Sequence, residues 1–570
     1  MTTRTAARRG NRVIDQSVAP ASRWAFAFLA GLVSRGIRDV VISPGSRSQS
    51  LALVAAAFAD RQLINVHVAI DERVGSYLAL GLAVETKRPV AIVVTSGTAV
   101  ANLHPGVLEA HHAGIPLIVI TADRPAVLRT TGANQTTVHV GAFGVAARKT
   151  VDIPPPAADA VESGSQWADE VVTAAVNESG PIHVNIQFVE PLSSHIDSRA
   201  YDTVRQGELP EAVPGHSSVG VVAAPGTIVI AGYGAGPRAE KWARELGAPL
   251  IAEISSGSHF GPHLVTDYRR LLARPEFADT IQSVIVVGRP TLSRAIDALC
   301  ARANVDVIVV RGPEANPYRP NPRALVVDTI TVEGNGEDYA QKWALPWARI
   351  SRITIDEEQS DPAADVQGSL AEDHAERAEF ARHEMQIQRQ PITPELLVRA
   401  VWDVTWPHDR LVFGASRLIR VADSILPGKP LRVHSNRGLS GIDGTIATAQ
   451  GIATAAQSNP IATQNGVTRV VLGDLAAQHD IGALATLRGK IQVIVGNDGG
   501  GRIFEDLPVA ETANRTHFDR VMRTPQNIDF EGVARAFGLG FHRVTTRGEL
   551  TSALSEVTRP TLVEVVLPRD

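Results

Sequence analysis

The sequence holds 570 residues, of which 44% are hydrophobic and 20% charged, so it has ample material for buried cores and no case for disorder. At ~150 residues per domain the length suggests three or four domains, with three the natural first count. With 55 Lys and Arg against 60 Asp and Glu the net charge is −5, which excludes the basic footprint of a nucleic-acid or anionic-membrane binder and leaves any bound anion to local arginines.

Cys300 is the single cysteine, so an internal disulfide and a Cys-rich zinc site are excluded, and a reducing, cytoplasmic compartment fits. The longest apolar stretches, such as Ala25–Val33, fall short of the ~20 residues that a membrane span needs. Residues 1–18 read as a flexible tail, because they lack the apolar segment of a secretory signal.

From there, short β-branched runs alternate with Ala-, Leu- and Arg-rich helical stretches, the pattern of βαβ units and buried parallel sheets. Asp39–Ser43, Val66–Ile70, Val90–Thr95, Leu117–Thr121 and Ile182–Ile186 predict a first domain over residues 19–195. Residues 191–226, rich in Ser, Pro and Gly, read as a linker. Thr227–Ala231, Ser283–Val287, Asp306–Val310 and Leu325–Asp328 predict a central domain over 220–350, followed by an acidic, solvated and partly helical connector from Asp356 to Arg389. Arg410–Phe413, Arg469–Leu472, Gln492–Val495 and Leu562–Val566 predict a third domain over 390–570. The expected fold is α/β, with three doubly wound parallel-sheet domains. Ligands of such sheets sit beyond the carboxyl ends of the strands, so the loops there are the candidates for chemistry.

Gly473-Asp474 follows one strand of the third group, and Gly496-Asn497-Asp498 with three further glycines follows the next. An Asp at one strand end and an Asn-Asp pair at its neighbour can hold a hard divalent cation through oxygen, leaving room for phosphate oxygens. The glycines permit close backbone approach. Each half alone is also a common turn sequence, so the pairing carries the diphosphate-metal expectation. In the first domain, Asp71-Glu72-Arg73 precedes the nearly all-apolar stretch Val74–Ala83; a carboxylate there also suits a helix N-terminus. The next strand ends in Thr95-Ser96-Gly97-Thr98, a small-residue loop suited to a planar ligand. His104, His111 and His112 lack the spacing of a helical zinc site and read as satisfied or surface histidines. Ile230–Gly236 suggests a dinucleotide loop but lacks the full glycine fingerprint.

Taken together, Glu72 with its apolar helix, Thr95–Asn102, Ile115–Thr121, Gly473-Asp474 and Asn497-Asp498 resemble the thiamine-diphosphate-dependent 2-oxo-acid decarboxylase superfamily. Its members have pyrimidine-binding, central and diphosphate-binding domains, in the order of the three strand groups. Ile42–Arg47, Ala122–Pro125, Thr131–Thr136, Ser435–Gly444 and Gly501–Phe504 are similar to one branch of it. That branch decarboxylates 2-oxoglutarate and adds the succinyl-semialdehyde carbanion to isochorismate in menaquinone biosynthesis. The resemblance implies a transferase using thiamine diphosphate and Mg²⁺ or Mn²⁺, at least a homodimer and preferably a homotetramer. It assigns the central domain no cofactor. An acetohydroxyacid synthase-like enzyme, which would keep the Glu and metal motifs but not the arginines, is the alternative. A non-catalytic nucleotide-binding protein is the rival from another class, and retention of both Glu72 and Asp474 argues against it.

Residue roles follow from the same resemblance. Glu72 would hydrogen-bond the aminopyrimidine nitrogen and stabilise the imino tautomer that takes the thiazolium proton. Asp474, Asp498 and the Gly500 carbonyl would ligate the metal, with Asn497 competing with Asp498. Ser96, Ser440, Gly441, Gly473, Leu475, Ile503 and Phe504 would border the cofactor, and Ile442 would bend it. Both substrates are dicarboxylates, which guanidinium forks recognise. Arg47 and Arg124, with Ser46, Asn134 and Gln135, match positions that meet isochorismate; Ser416, Arg420 and Arg437 match those that meet 2-oxoglutarate. The four arginines are counted as catalytic, and Arg294 aligns loosely with a substrate-facing basic stretch.

Overall fold

Strands that are apolar on both faces need a covering layer on each side, and parallel strands joined through helices provide it. The computed structural model, which describes residues 17–157, 163–213, 215, 217–314, 316–359, 366–458, 466–555 and 557–569, shows this arrangement three times. The first 16 residues of the expected tail and residues 360–365 of the expected connector lie outside the described residues.

The chain divides into two compact units, residues 1–111 with 115–213, and residues 112–114 with 214–570. In the first, β1 (Asp39–Ile42), β2 (Asn65–Val68), β3 (Val90–Val94), β4 (Leu117–Asp123), β5 (Lys149–Ile153) and β6 (Ile182–Gln187) form one sheet in the order β2-β1-β3-β4-β6-β5. All of its pairings are parallel.

The second unit contains β7 (Ser218–Val222), β8 (Thr227–Ala231), β9 (Leu250–Ala252), β10 (Ser283–Val287), β11 (Asp306–Val310), β12 (Leu325–Val327) and β13 (Thr329–Glu333). Its five-stranded sheet runs β12-β11-β10-β8-β9, while β7 and β13 pair separately. Alternate residues serve opposite cores: Val229, Ala231, Ile285 and Val287 enter one, and Ile228, Ile230, Val284 and Val286 the other, as the two-residue strand period requires. The same unit holds β14 (Arg410–Phe413), β15 (Val433–His434), β16 (Thr468–Gly473), β17 (Ile491–Asn497), β18 (Gly540–Val544) and β19 (Thr561–Val566), in the order β15-β14-β16-β17-β19-β18.

Numbered from their own first strands, the two six-stranded sheets have identical connectivity, 2-1-3-4-6-5. Each therefore has a switch point between its first and third strands, where a crevice opens at the carboxyl ends. Those ends are Ile42 and Val94 in one sheet and Phe413 and Gly473 in the other.

One expected linker is built differently. Leu192, Ile196, Ala200, Tyr201 and Val204 are buried in the core of the first unit, and Tyr201 meets Phe26 and Phe58 edge-on at centroid distances of 5.2 and 5.4 Å. Apolar residues spaced through a Ser- and Pro-rich segment give little periodicity but still bury area. The connector after the central sheet is helical over Ala344–Gln359, Val366–Leu370 and His374–Gln388, and the last helix is largely exposed. Among the described residues no helix is long and apolar enough to cross a membrane.

Candidate active site

At the switch point of the third sheet the strand ends enclose a cavity of about 110 Å³, lined among others by Gly414, Ser416, Arg417, Gly473, Asp474, Asp498 and Gly500. Asp474 opens the helix Asp474–His479 and is 2% exposed, and its Oδ2 is buried with no hydrogen-bond partner. Burial, and then the neighbouring Asp498 carboxylate, push its pKa up to about 6. Asp498 is raised by burial as well, against the pull of Arg417 and Arg502. An unpartnered carboxylate oxygen beside a second acid is a donor set that a hard divalent cation fits. Asn497 is engaged elsewhere: its Nδ2 donates to Glu564 Oε1 at 2.7 Å and its Oδ1 accepts from the Gly499 N–H at 3.2 Å. Among the described residues no group of three or more His, Cys, Asp or Glu could hold a metal, so a third protein ligand would come from main-chain or other side-chain oxygen.

The loop after Asp498 requires its glycines. Gly500 has φ +142°, and a Cβ there would lie 2.5 Å from the Arg523 carbonyl oxygen, whereas glycine permits this approach. Leu475, Ile503 and Phe504 line the same cavity, as does Ile442, which Ser440 at φ +60° and Gly441 precede. Sequence reasoning missed Arg417 and Arg502, both of which line it. Their signal was adjacency, to Ser416 and to Ile503.

Beside this crevice lies a buried polar network. Arg437 is 1% exposed; its Nε donates to Thr291 Oγ1 at 2.9 Å and its Nη2 to the Thr291 carbonyl at 2.8 Å. Glu253, fully buried, accepts from the Thr291 and Leu292 N–H groups at 2.5 and 2.6 Å and from Thr291 Oγ1 at 3.2 Å. Asp423 accepts from the Ile254 N–H, from Tyr268 Oη and from Arg269. Burial and the Asp423 carboxylate push Glu253 up to about 7. Arg420 is half-buried, its Nη1 donates to the Ser416 carbonyl at 2.7 Å, and burial with nearby Arg269 lowers its pKa. Arg294 is exposed, whereas Arg289 donates to the carbonyls of Arg437 and Gly438. Gly232 lets the Arg289–Pro290 backbone approach closely, since a Cβ there would lie 2.2 Å from it. Packing therefore accounts for that glycine of the dinucleotide-like loop.

In the first unit, Asp71 caps the helix Glu72–Thr86 by accepting from the N–H groups of Arg73 and Val74. The cap fixes the start of the helix, and Glu72 stands half-buried in its first turn with Oε2 accepting from Asn102 Nδ2 at 3.1 Å. Gly97, at φ +86°, lets the Thr95–Thr98 loop turn beside Gln135. Ser96 Oγ donates to the Gln135 carbonyl at 2.9 Å, and Gln135 Nε2 donates back to the Ser96 carbonyl at 3.0 Å. Thus Ser96 and Gln135 are brought together, with Asn134 exposed next to them.

At the switch point of this sheet, Gly45 packs on Thr95, where a Cβ would be 2.2 Å away, and the Arg47 N–H donates to Thr95 Oγ1 at 3.2 Å. Arg47 Nη1 donates to the Phe188 carbonyl at 3.3 Å and lies 3.5 Å from Glu190. Burial and the charge of Arg124 lower its pKa, so the two guanidinium groups sit close enough to repel. Arg124 Nε is buried without a partner, and Ser46 is exposed nearby in sequence. Two neighbouring cations, one with an unused donor, favour an anionic ligand. Beneath them Asp123, His139 and Asn185 are fully buried. His139 Nε2 accepts from the Gly97 N–H at 3.3 Å, and its Nδ1 donates to Asn185 Oδ1 at 2.9 Å. His111 bonds the Ala146 carbonyl through Nδ1 at 3.1 Å, which satisfies one of the three histidines noted above.

Comparison with known proteins agrees with these two crevices. Residues 23–142 match the thiamine pyrophosphate enzyme N-terminal TPP binding domain, and residues 420–565 match the corresponding C-terminal TPP binding domain. A 2-succinyl-5-enolpyruvyl-6-hydroxy-3-cyclohexene-1-carboxylate synthase of Leifsonia xyli is 48% identical over 94% of this chain and 94% of its own length. Proteins of the same name from Clavibacter michiganensis, 45% identical over 96% of this chain and 97% of theirs, and Kineococcus radiotolerans, 37% identical over 97% and 96%, are also similar. The chain therefore belongs to the 2-succinyl-5-enolpyruvyl-6-hydroxy-3-cyclohexene-1-carboxylate synthase family of thiamine pyrophosphate enzymes.

Proposed function

We propose that this protein decarboxylates 2-oxoglutarate and transfers the remaining four-carbon unit to isochorismate, giving 2-succinyl-5-enolpyruvyl-6-hydroxy-3-cyclohexene-1-carboxylate and CO₂ in menaquinone biosynthesis. The observation that carries this reading is the buried, unpartnered Asp474 Oδ2 beside Asp498 in a glycine-walled cavity, in a chain of this family. Thiamine diphosphate, when bound, supplies a carbon nucleophile and an electron sink for 2-oxo-acid decarboxylation.

The protein's own groups bind, orient and hold protons. Asp474, Asp498 and the Gly500 carbonyl hold Mg²⁺ or Mn²⁺, and Ile442, Leu475, Ile503 and Phe504 keep water from the cavity walls. Glu72 holds a proton at its carboxyl group opposite a pyrimidine nitrogen. Arg420 and Arg437, with Ser416, take the carboxylates of 2-oxoglutarate. Arg47 and Arg124, with Ser46, Asn134 and Gln135, take those of isochorismate. Glu72 and Asp474 act on one cofactor from different subunits, so a homodimer is the smallest active form and a homotetramer the preferred one. The three sheets correspond to pyrimidine-binding, central and diphosphate-binding domains, and the enzyme works in the cytoplasm.

The test is an assay with 2-oxoglutarate, isochorismate, thiamine diphosphate and Mg²⁺ that follows loss of isochorismate absorbance and the mass of the product. The expected result is a product that needs both acids. Absence of product with cofactor and metal bound refutes the reading.

A further inference from the structure

Arg417 is the first residue of the helix Arg417–Ile425 and lies in the wall of the diphosphate cavity. Its Nη1 stands 3.3 Å from Asp498 Oδ2, with side-chain exposures of 33% and 12%. The acid proposed as a metal ligand therefore already has a cation on it, while its neighbour Asp474 keeps an oxygen without a partner. The balance of charge in the cavity gives this pairing a consequence. Asp474 and Asp498 contribute two negative charges, and Arg417 and Arg502, which line the same cavity, contribute two positive ones. A divalent cation entering alone must displace a guanidinium from Asp498 and leave the cavity with excess positive charge. A diphosphate entering alone meets two carboxylates. Entering together they nearly cancel, and the displaced guanidinium gains phosphate oxygens as acceptors.

We propose that Arg417 is a resident counter-ion of the metal site, holding Asp498 in the empty protein and passing to the diphosphate when the cation arrives, so that metal and cofactor bind cooperatively. The half-exposed position of Arg417 leaves its side chain room to turn, whereas Arg502 is buried at 8% exposure. The inference rests on Asp474 and Asp498 as the metal site. It adds that a residue outside the ligand set fixes the coupling between two ligands. Coupling is reciprocal, so it can be read from the metal side without any turnover.

The experiment titrates Mn²⁺ into the full-length protein, counting free ion by electron paramagnetic resonance, with and without saturating thiamine diphosphate. Wild type, Arg417→Gln, Arg417→Lys and Asp474→Asn are compared, and thermal melting confirms that each is folded. In wild type the diphosphate should tighten Mn²⁺ binding by at least about 10-fold. In Arg417→Gln, Mn²⁺ alone should bind about 10-fold more tightly than to wild type, and the tightening by diphosphate should shrink by a similar factor. Arg417→Lys should fall between the two, since it keeps a charge without the fork. Mn²⁺ affinity and coupling in Arg417→Gln within twofold of wild type would overturn the role of Arg417. Equal Mn²⁺ binding by Asp474→Asn and wild type would overturn the metal site itself, and the inference with it.

Discussion

Replacing Glu253 with glutamine removes a buried ionisable group while keeping an oxygen that can accept from the Thr291 and Leu292 N–H groups. Glu253 is fully buried, and burial with the Asp423 carboxylate raises it from 4.5 to about 7. For a group raised on folding, the stability it contributes is complete below the unfolded value and is lost as pH rises through the folded one. Wild type should therefore weaken between pH 4.5 and about 7. A rise of this size corresponds to about 3 kcal/mol in full, most of it falling between pH 5 and pH 8. No discount for solvent screening applies, because the carboxyl group has no exposure. Urea unfolding of both proteins across that pH range measures the difference. Infrared spectroscopy adds a direct check, since the protonated-carboxyl C=O absorbance that fades with rising pH in wild type should be weaker by one group in Glu253→Gln, where Asp474 still contributes. A stability difference that stays flat from pH 5 to pH 8 would refute the assignment of a protonatable Glu253.

Further outcomes are expected at other positions. Glu72→Gln should fold and bind metal and cofactor normally while turnover falls by about 100-fold or more; near-normal turnover in pure protein would sink its role. Arg124→Ala removes a cation whose Nε has no protein partner, so stability should change little while KM for isochorismate rises about 10-fold or more, as steady-state kinetics with fixed 2-oxoglutarate would show. Asn185→Leu strips partners from Thr121, His139, Asp123 and Asp152. Thr121, Asp123 and Asp152 keep other partners, so the buried His139 Nδ1 is the group left without its hydrogen bond, and at about 1–3 kcal/mol for a buried polar group left unsatisfied the first unit should lose a similar amount in urea unfolding.

Most of the strands that were legible in the sequence are buried on both faces, although the edge strands β2 and β12 were legible too. Val90–Val94 is a continuous apolar run, and Ser283–Val287 and Ile491–Asn497 contain the runs Val284–Val287 and Val493–Val495, because each lies inside a parallel sheet with helices on both sides. Those missed are short or at an edge: β5 alternates buried and exposed residues, β18 has two exposed positions, and β15 spans only Val433–His434. An edge strand pairs on one side only, so its sequence need not be uniformly apolar. The polar networks were legible in part. Asp474, Asp498, Arg47, Arg124 and Arg437 follow strand ends, and Arg420 lies in the helix after one, where sheet topology makes polar residues informative. Glu253, Thr291 and Asp423 carry no motif, and their partners lie up to 169 residues away in sequence, the separation of Ile254 and Asp423. Nothing in local spacing announces such a pairing.

The two six-stranded sheets share one connectivity but present opposite local chemistry at their switch points. In each, an arginine follows the first strand, Arg47 after Ile42 and Arg417 after Phe413. What differs is the neighbour. Arg47 has burial and the charge of Arg124 lowering its pKa and faces only the largely exposed Glu190 at 3.5 Å, so its surroundings improve when an anion arrives. Arg417 has Asp498 at 3.3 Å, so its surroundings are already balanced and change only when a competing cation takes the carboxylate. Topology thus decides where each crevice lies, while on the proposed function one side chain from the strand end two places along would decide whether an anion binds there directly or must bring a metal with it. Exchanging the sign at either neighbour should exchange that requirement, which titration of a carboxylate ligand and of Mn²⁺ against each crevice would measure.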